Sequence, residues 1–213
     1  MRIIDLTHTL NPEVTLFPGS EIPSFEPVHT LEKDGWSQLR VTMLTHTGTH
    51  LDAPFHMIKG GKTVDELPVE QFYGKAVAVD CRGVADNAIT VEWLAPYADL
   101  LQQAEFLIIH TGWWKKWKTP AFLEHFPVLT PEAARWLEQF SLKGIGLDTI
   151  SIDQIDSTEL PVHHIVLGRG HIIIENLANL DQLPSGLFTF SCFPMKIEKA
   201  DGCPIRAAAI VEA

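Results

Sequence analysis

The segment from His46 to His56, reading His-Thr-Gly-Thr-His-Leu-Asp-Ala-Pro-Phe-His, restricts this chain more than any other stretch. Its three imidazoles and one carboxylate, at His46, His50, Asp52 and His56, all fall on even positions, as do Gly48 and Pro54. Side chains alternate along an extended chain, so all four donors would point to one side. On a helix, Asp52 would be rotated away from His50, and Pro54 would break the hydrogen bonding. The segment is therefore expected to be extended. His50 and Asp52 lie about 6.6 Å apart along an ideal strand, within reach of one ion, whereas His46 and His50 lie about 13 Å apart if the chain is straight. Gly48 is the natural place for a bend that brings them together. With little bending, the same donors suit two neighbouring ions bridged by Asp52. Imidazole with carboxylate selects Zn²⁺, Mn²⁺ or Fe²⁺, and the absence of nearby cysteine disfavours a structural zinc knot.

The remaining sequence narrows the class. A length of 213 residues with 46% hydrophobic content suits one domain over residues 1–213 with a substantial core. A net charge of −11 argues against a nucleic-acid partner. The apolar runs Phe106 to Ile109 and Ile172 to Ile174 are too short to span a bilayer, so no membrane partner is expected. The N-terminus does not read as a signal peptide. Cys81, Cys192 and Cys203 are odd in number and form no CxxC pair, which fits free thiols in a reducing compartment and a cytoplasmic location. No GxSxG motif or cysteine nucleophile context supports serine or thiol hydrolysis.

Strands are expected at Arg2 to Leu6, Leu39 to Thr45, Lys75 to Asp80, Ala104 to His110, Lys143 to Leu147 and His171 to Ile174, each apolar or alternating and bounded by turns. Prolines at 12, 18, 23 and 27 make Asn11 to Pro27 loop and short edge strand. Helices are expected near Thr90 to Leu94, from Thr130 to Leu137 with Thr130 as cap and Pro131 in the first turn, and from Ser157 to Leu167 with Gly168 as the stop. The class is α/β or α+β. His8, His29, His110, His125 and His171 read as structural or surface residues. Trp113, Trp114 and Trp117, interleaved with lysines, read as an amphipathic turn or a subunit contact, and Gly168-Arg169-Gly170 as a turn.

The chain resembles the cyclase family of metal-dependent hydrolases, which includes bacterial kynurenine formamidases and isatin hydrolases. The family signature HxGTHxDxPxH is met in full by His46, Gly48, Thr49, His50, Asp52, Pro54 and His56. Ile4 to Thr7, Phe17-Pro18-Gly19, Thr111-Gly112-Trp113, Gly146 to Asp153 and Glu175-Asn176-Leu177 are also similar to family patterns, although Ser20 stands where an acid commonly follows Pro-Gly. The resemblance implies a swivelling β/β/α fold. It implies that His46, His50 and Asp52 bind metal, with two further ligands falling on His163 and Glu175, twelve residues apart; His164 is the adjacent alternative. His56, the signature histidine not assigned to metal, is the expected proton shuttle, with Glu175 as ligand, base or both. Phe17, Trp36 and Trp113 are candidates for an aromatic substrate pocket, of which Phe17 and Trp113 are the preferred substrate-binding pair.

These residues suit hydrolysis by water activated on one or two Zn or Mn ions, and the resemblance implies a small amide substrate, with an aryl formamide such as N-formylkynurenine leading. Isatin-like lactams, other cyclic amides, lactones, or a cyclisation or dehydration keep the metal and change the substrate. A non-catalytic metal-binding protein would keep only the ligands. A homodimer or homotetramer is implied by the resemblance, with the 11–27 stretch a candidate for reaching a neighbour.

Overall fold

The computed structural model describes residues 1–212 and places its strands where apolar runs are bounded by turns. In chain order these are β1 (Arg2–Asp5), β2 (Ser24–His29), β3 (Gln38–Thr42), β4 (His50–Asp52), β5 (Tyr73–Asp80), β6 (Ala88–Ile89), β7 (Phe106–His110), β8 (Val128–Leu129), β9 (Gly144–Leu147), β10 (Ile172–Glu175), β11 (Leu187–Ser191), β12 (Gly202–Pro204) and β13 (Ala208–Val211). The helices are α1 (Leu31–Asp34), α2 (Val91–Leu94), α3 (Ala98–Leu101), α4 (Pro131–Trp136) and α5 (Pro161–Gly168). Nine strands form one sheet in the order β1-β13-β11-β5-β7-β9-β10-β4-β12. Its centre, β5 to β10, is parallel, and the strands on either side pair antiparallel.

Strand alternation divides the core. Leu107, Ile109 and Ile173 face one side, where Leu94, Ala133, Leu137, Val162 and Val166 of the helices cover them. Phe106, Ile108, Ile172 and Ile174 face the other side, where among the described residues the buried cluster takes in no residue of α1 to α5. There the sheet curls, so that Ile4, Leu51, Phe190, Cys203 and Ala209 from its outer strands pack onto its own middle. The chain just past β1 completes the curl: Thr7 bridges to Leu177, and the Ala178 amide donates to the Leu6 carbonyl at 2.9 Å. Burying each large aliphatic side chain in such a core contributes about 1.5–3 kcal/mol.

Two sequence expectations need correction. The uniformly extended His46 to His56 segment is extended only over His50–Asp52; Pro54–His56 is one turn of 3-10 helix, and the chain before β4 is irregular. Proline at the start of a helical turn has the φ that turn needs and no amide to waste, which explains the switch. The helix expected from Ser157 begins instead at Pro161 and includes Gly168, because the residue before a proline avoids right-handed helical backbone, and Leu160 sits at φ 42°. Elsewhere the expected strands and the α4 cap are present; the Thr130 hydroxyl accepts from the Ala133 amide at 3.1 Å. Among the described residues no helix is long and apolar enough to cross a membrane, and all three cysteines are buried and free.

A candidate metal centre beside the β4–β10 pair

The antiparallel register of β4 and β10 sets Glu175 opposite His50 and Ile173 opposite Asp52. This pairing brings two carboxylates and an imidazole to one end of the sheet, and all three are buried. Helix α5 adds His163, also buried, whereas neighbouring His164 is exposed. Four donors then converge. His50 Nε2 lies 3.3 Å from Asp52 Oδ1 and 3.5 Å from Glu175 Oε2. His163 Nε2 lies 3.6 Å from Glu175 Oε1 and 4.0 Å from Asp52 Oδ2. Donors sharing one tetrahedral ion at bond lengths near 2.0–2.2 Å stand about 3.4 Å from each other. Most of the separations here are longer than a good hydrogen bond and close to that spacing. His46, Asp52 and His56 form a second group, with ligand atoms within 4.8 Å of one another, sharing Asp52 with the first group.

What fixes each imidazole is its other nitrogen. His50 Nδ1 donates to the Gly48 carbonyl at 2.8 Å, which places the proton on Nδ1 and leaves the Nε2 lone pair facing the carboxylates. That carbonyl also accepts from the Asn176 amide at 2.9 Å. Gly48 is the expected bend: it has φ 67°, and a Cβ there would collide with the Leu10 side chain. His163 Nδ1 donates to Asp153 Oδ2 at 2.7 Å. Asp153 accepts from the Val162 and His163 amides as well, so one carboxylate anchors the start of α5 and orients its imidazole. His46 has carboxylates at both nitrogens, Asp52 at 2.7 Å and Asp201 at 3.1 Å. His56 differs from the other three. It packs against His46 with ring centroids 4.0 Å apart and planes tilted by 36°, and its Nδ1 is 3.5 Å from Asp201.

The electrostatics follow from this crowding. Burial alone would push the His46 imidazole down, but the Asp52 and Asp201 carboxylates outweigh it and lift the group to about 10. Burial would raise Asp52; contact with His46 and His50 holds it well below the usual carboxylate range instead. Glu175 is pushed well above that range by burial and by the charge of Asp52. Burial lowers His56, helped by His46 and His163, and the Asp52 and Asp201 carboxylates only partly offset this. Two fully buried acids facing each other need compensating positive charge, and neutral imidazoles with carboxylates are the donor chemistry of Zn²⁺ and Mn²⁺. The residues fit a divalent ion.

A cavity of about 440 Å³ opens over this cluster. Its walls include the donors together with Phe17, Leu44, Met57, Ile150 and Leu160. Phe17 lies in this wall. Trp113 does not: its indole packs with Phe122, Phe126 and Ile150, and its Nε1 donates to the Phe122 carbonyl at 2.9 Å. Trp36 is on the hairpin between β2 and β3, stacked on His29. The tryptophan-lysine turn is tied down internally, with Lys116 over the Trp113 ring and Trp117 stacked on His8. Sequence reasoning missed Asp201 altogether and gave Asp153 no task. Asp153 had a signal, being an acid ahead of a proline-initiated helix bearing a candidate ligand. Asp201 had none, since 149 residues separate it from Asp52, the strand residue that pairs with its neighbour Gly202.

The Cyclase family model, described as "Putative cyclase", matches residues 4–154. The chain belongs to the cyclase family. A kynurenine formamidase from Bacillus cytotoxicus is 34% identical over 205 residues, covering 96% of this chain and 95% of that protein. Isatin hydrolase A from Labrenzia aggregata, solved bound to benzyl benzoate, superposes with a TM-score of 0.88 at 32% identity, covering 99% of this chain and 93% of that one. A structure described as a potential metal-dependent hydrolase with cyclase activity superposes at 0.82 with 26% identity, covering 98% and 96%.

Asp153→Ala removes three hydrogen bonds and leaves the His163 imidazole and two amides of α5 unpaired in the interior. A destabilisation of about 3 kcal/mol is expected, read as a lower urea midpoint at unchanged slope. An unchanged midpoint would contradict the anchoring role.

Proposed function

We propose that this cyclase-family protein is a metal-dependent hydrolase of small amides, with an aryl formamide such as N-formylkynurenine as the leading substrate. The observation that carries the reading is the convergence of His50, Asp52, His163 and Glu175 at the floor of an apolar-walled cavity, with the remote nitrogen of each histidine already held. The named activity of the kynurenine formamidase relative supports the substrate class. His46, His50, Asp52, His163 and Glu175 would hold the metal, Zn or Mn, as one ion or as two sharing Asp52. When bound, a divalent ion supplies a water of lowered pKa and an electrophilic contact for the carbonyl oxygen.

The chain's own residues do the rest. Phe17, Leu44, Met57, Ile150 and Leu160 form an apolar wall against which an aryl ring can lie, leaving the amide toward the donors. Glu175 is fixed through Oε1 by the Ile152 amide at 3.0 Å, so it can serve both as ligand and as a base of set orientation. His56 lines the cavity and is half-free of hydrogen-bond partners, which suits an imidazole that takes a proton and delivers it to the leaving nitrogen. Hydrolysis of isatin-like cyclic amides is the second reading, favoured by the fold likeness to isatin hydrolase A.

Homo-oligomerisation belongs to the same proposal, as a dimer or tetramer. Every residue of β3 is exposed, and Val28, Leu31, Trp36, Leu39 and Val41 carry apolar surface along that hairpin. A two-stranded hairpin is marginal alone in water, so a second copy covering it is expected. The three free thiols suit a reducing, cytoplasmic setting.

Purified protein is expected to hydrolyse an aryl formamide, lose that activity on chelation and regain it with Zn²⁺ or Mn²⁺. A protein that binds the ion yet turns over no formamide, lactam or lactone would leave the non-catalytic reading standing. His56→Ala should lower kcat by about 10²–10⁴ with metal content intact, whereas Asp52→Ala should lose both. Elemental analysis separates the two, and metal loss from His56→Ala would show it to be a ligand. Sedimentation should give a dimer or larger; a monomer at working concentration would refute the assembly.

A further inference from the structure

Asp201 is outside the signature segment and outside the donor set, yet it touches both of that segment's remaining histidines. It immediately precedes β12, the last strand of the sheet, whose Gly202 pairs with Asp52. The Asp201 carbonyl accepts from the Ala53 amide at 2.8 Å, so its backbone is pinned to the end of β4. Its side chain is fixed as well. Oδ1 accepts from the Thr45 hydroxyl at 2.8 Å, leaving Oδ2 at 3.1 Å from His46 Nε2 and 3.5 Å from His56 Nδ1. The two rings lie against each other, and the His46 ring rests on Gly202, where a Cβ would stand 2.6 Å from its Cε1.

We propose that Asp201 is a positioning residue that, through one carboxylate oxygen, sets the orientation of both His46 and His56. His46 then presents Nδ1 to the Asp52 side of the site, and His56 is held against it facing the cavity. Metal retention and proton handling thereby depend on one support. The inference rests on the metal-hydrolase reading. Thr45 is the second part of the device, because without its hydroxyl the carboxylate is free to turn away. Asparagine can replace the carboxylate in part: its amide oxygen can accept from His46 while its NH₂ donates to the Thr45 hydroxyl, which can accept.

The test is Zn²⁺ affinity by competition with a chelator, together with steady-state kinetics, for the wild type, Asp201→Ala, Asp201→Asn and Thr45→Val. Loss of such an outer partner typically weakens metal binding 10–100-fold. Asp201→Ala should show that loss and a kcat at least tenfold lower with KM little changed. Asp201→Asn should recover part of both, and Thr45→Val should fall between wild type and Asp201→Ala. The unfolding temperature in chelator should stay near that of the wild type throughout. Unchanged Zn²⁺ affinity or unchanged kcat in Asp201→Ala would overturn the shared role. Equal losses in the alanine and asparagine variants, with a lowered unfolding temperature, would overturn it by making Asp201 structural. A wild type that binds no Zn²⁺ would sink the metal reading and this inference with it. A wild type that binds while Asp201→Ala binds equally well would sink this inference alone.

Discussion

Two carboxylates that cannot escape each other dominate this molecule. Asp52 and Glu175 sit on neighbouring antiparallel strands, both buried, and backbone pairing fixes how closely they approach. Each isolated buried charge costs several kcal/mol unless it is paired. The contacts around them answer that demand: imidazoles on Asp52, the Ile152 amide on Glu175, and further acids behind the imidazoles. A rigid sheet is what allows the demand to exist, because a loop would relax and let the acids separate.

The sheet supplies that rigidity by an uneven arrangement. Its helix-covered face is an ordinary α/β layer, while its other face is closed by its own outer strands. β4 runs against the parallel centre and β12 against β4, so the donors stand at the seam where strand direction first reverses. The cavity over the donors opens at this seam, with hydrophobic side chains from segments before and after the exposed hairpin among its walls.

Much of this was legible in the sequence because the information is local. His50 and Asp52 obey the two-residue repeat of a strand, Gly48 marks a bend that only glycine makes without strain, and the apolar runs at 106–109 and 172–174 are buried strands. The parts that were not legible depend on distant contacts. Trp113 has an aromatic ring like any pocket residue, and only the positions of Phe122 and Phe126 decide that it packs inward. Asp201 reads as one surface acid among many until strand pairing sets it beside His46. His56 lies on a turn rather than a strand because Pro54 redirects the chain, a preference that even spacing concealed.

The holders of the three oriented imidazoles are of unequal kind. His50 is held by a main-chain oxygen, that of Gly48, while His163 and His46 are held by side chains, Asp153 and Asp201. No single side-chain replacement can remove a carbonyl, so the tautomer of His50 is insulated from ordinary genetic drift. The other two rings can be retuned at positions 153 and 201 without altering any donor atom. Selection therefore has one immovable reference point in this cluster and two adjustable ones.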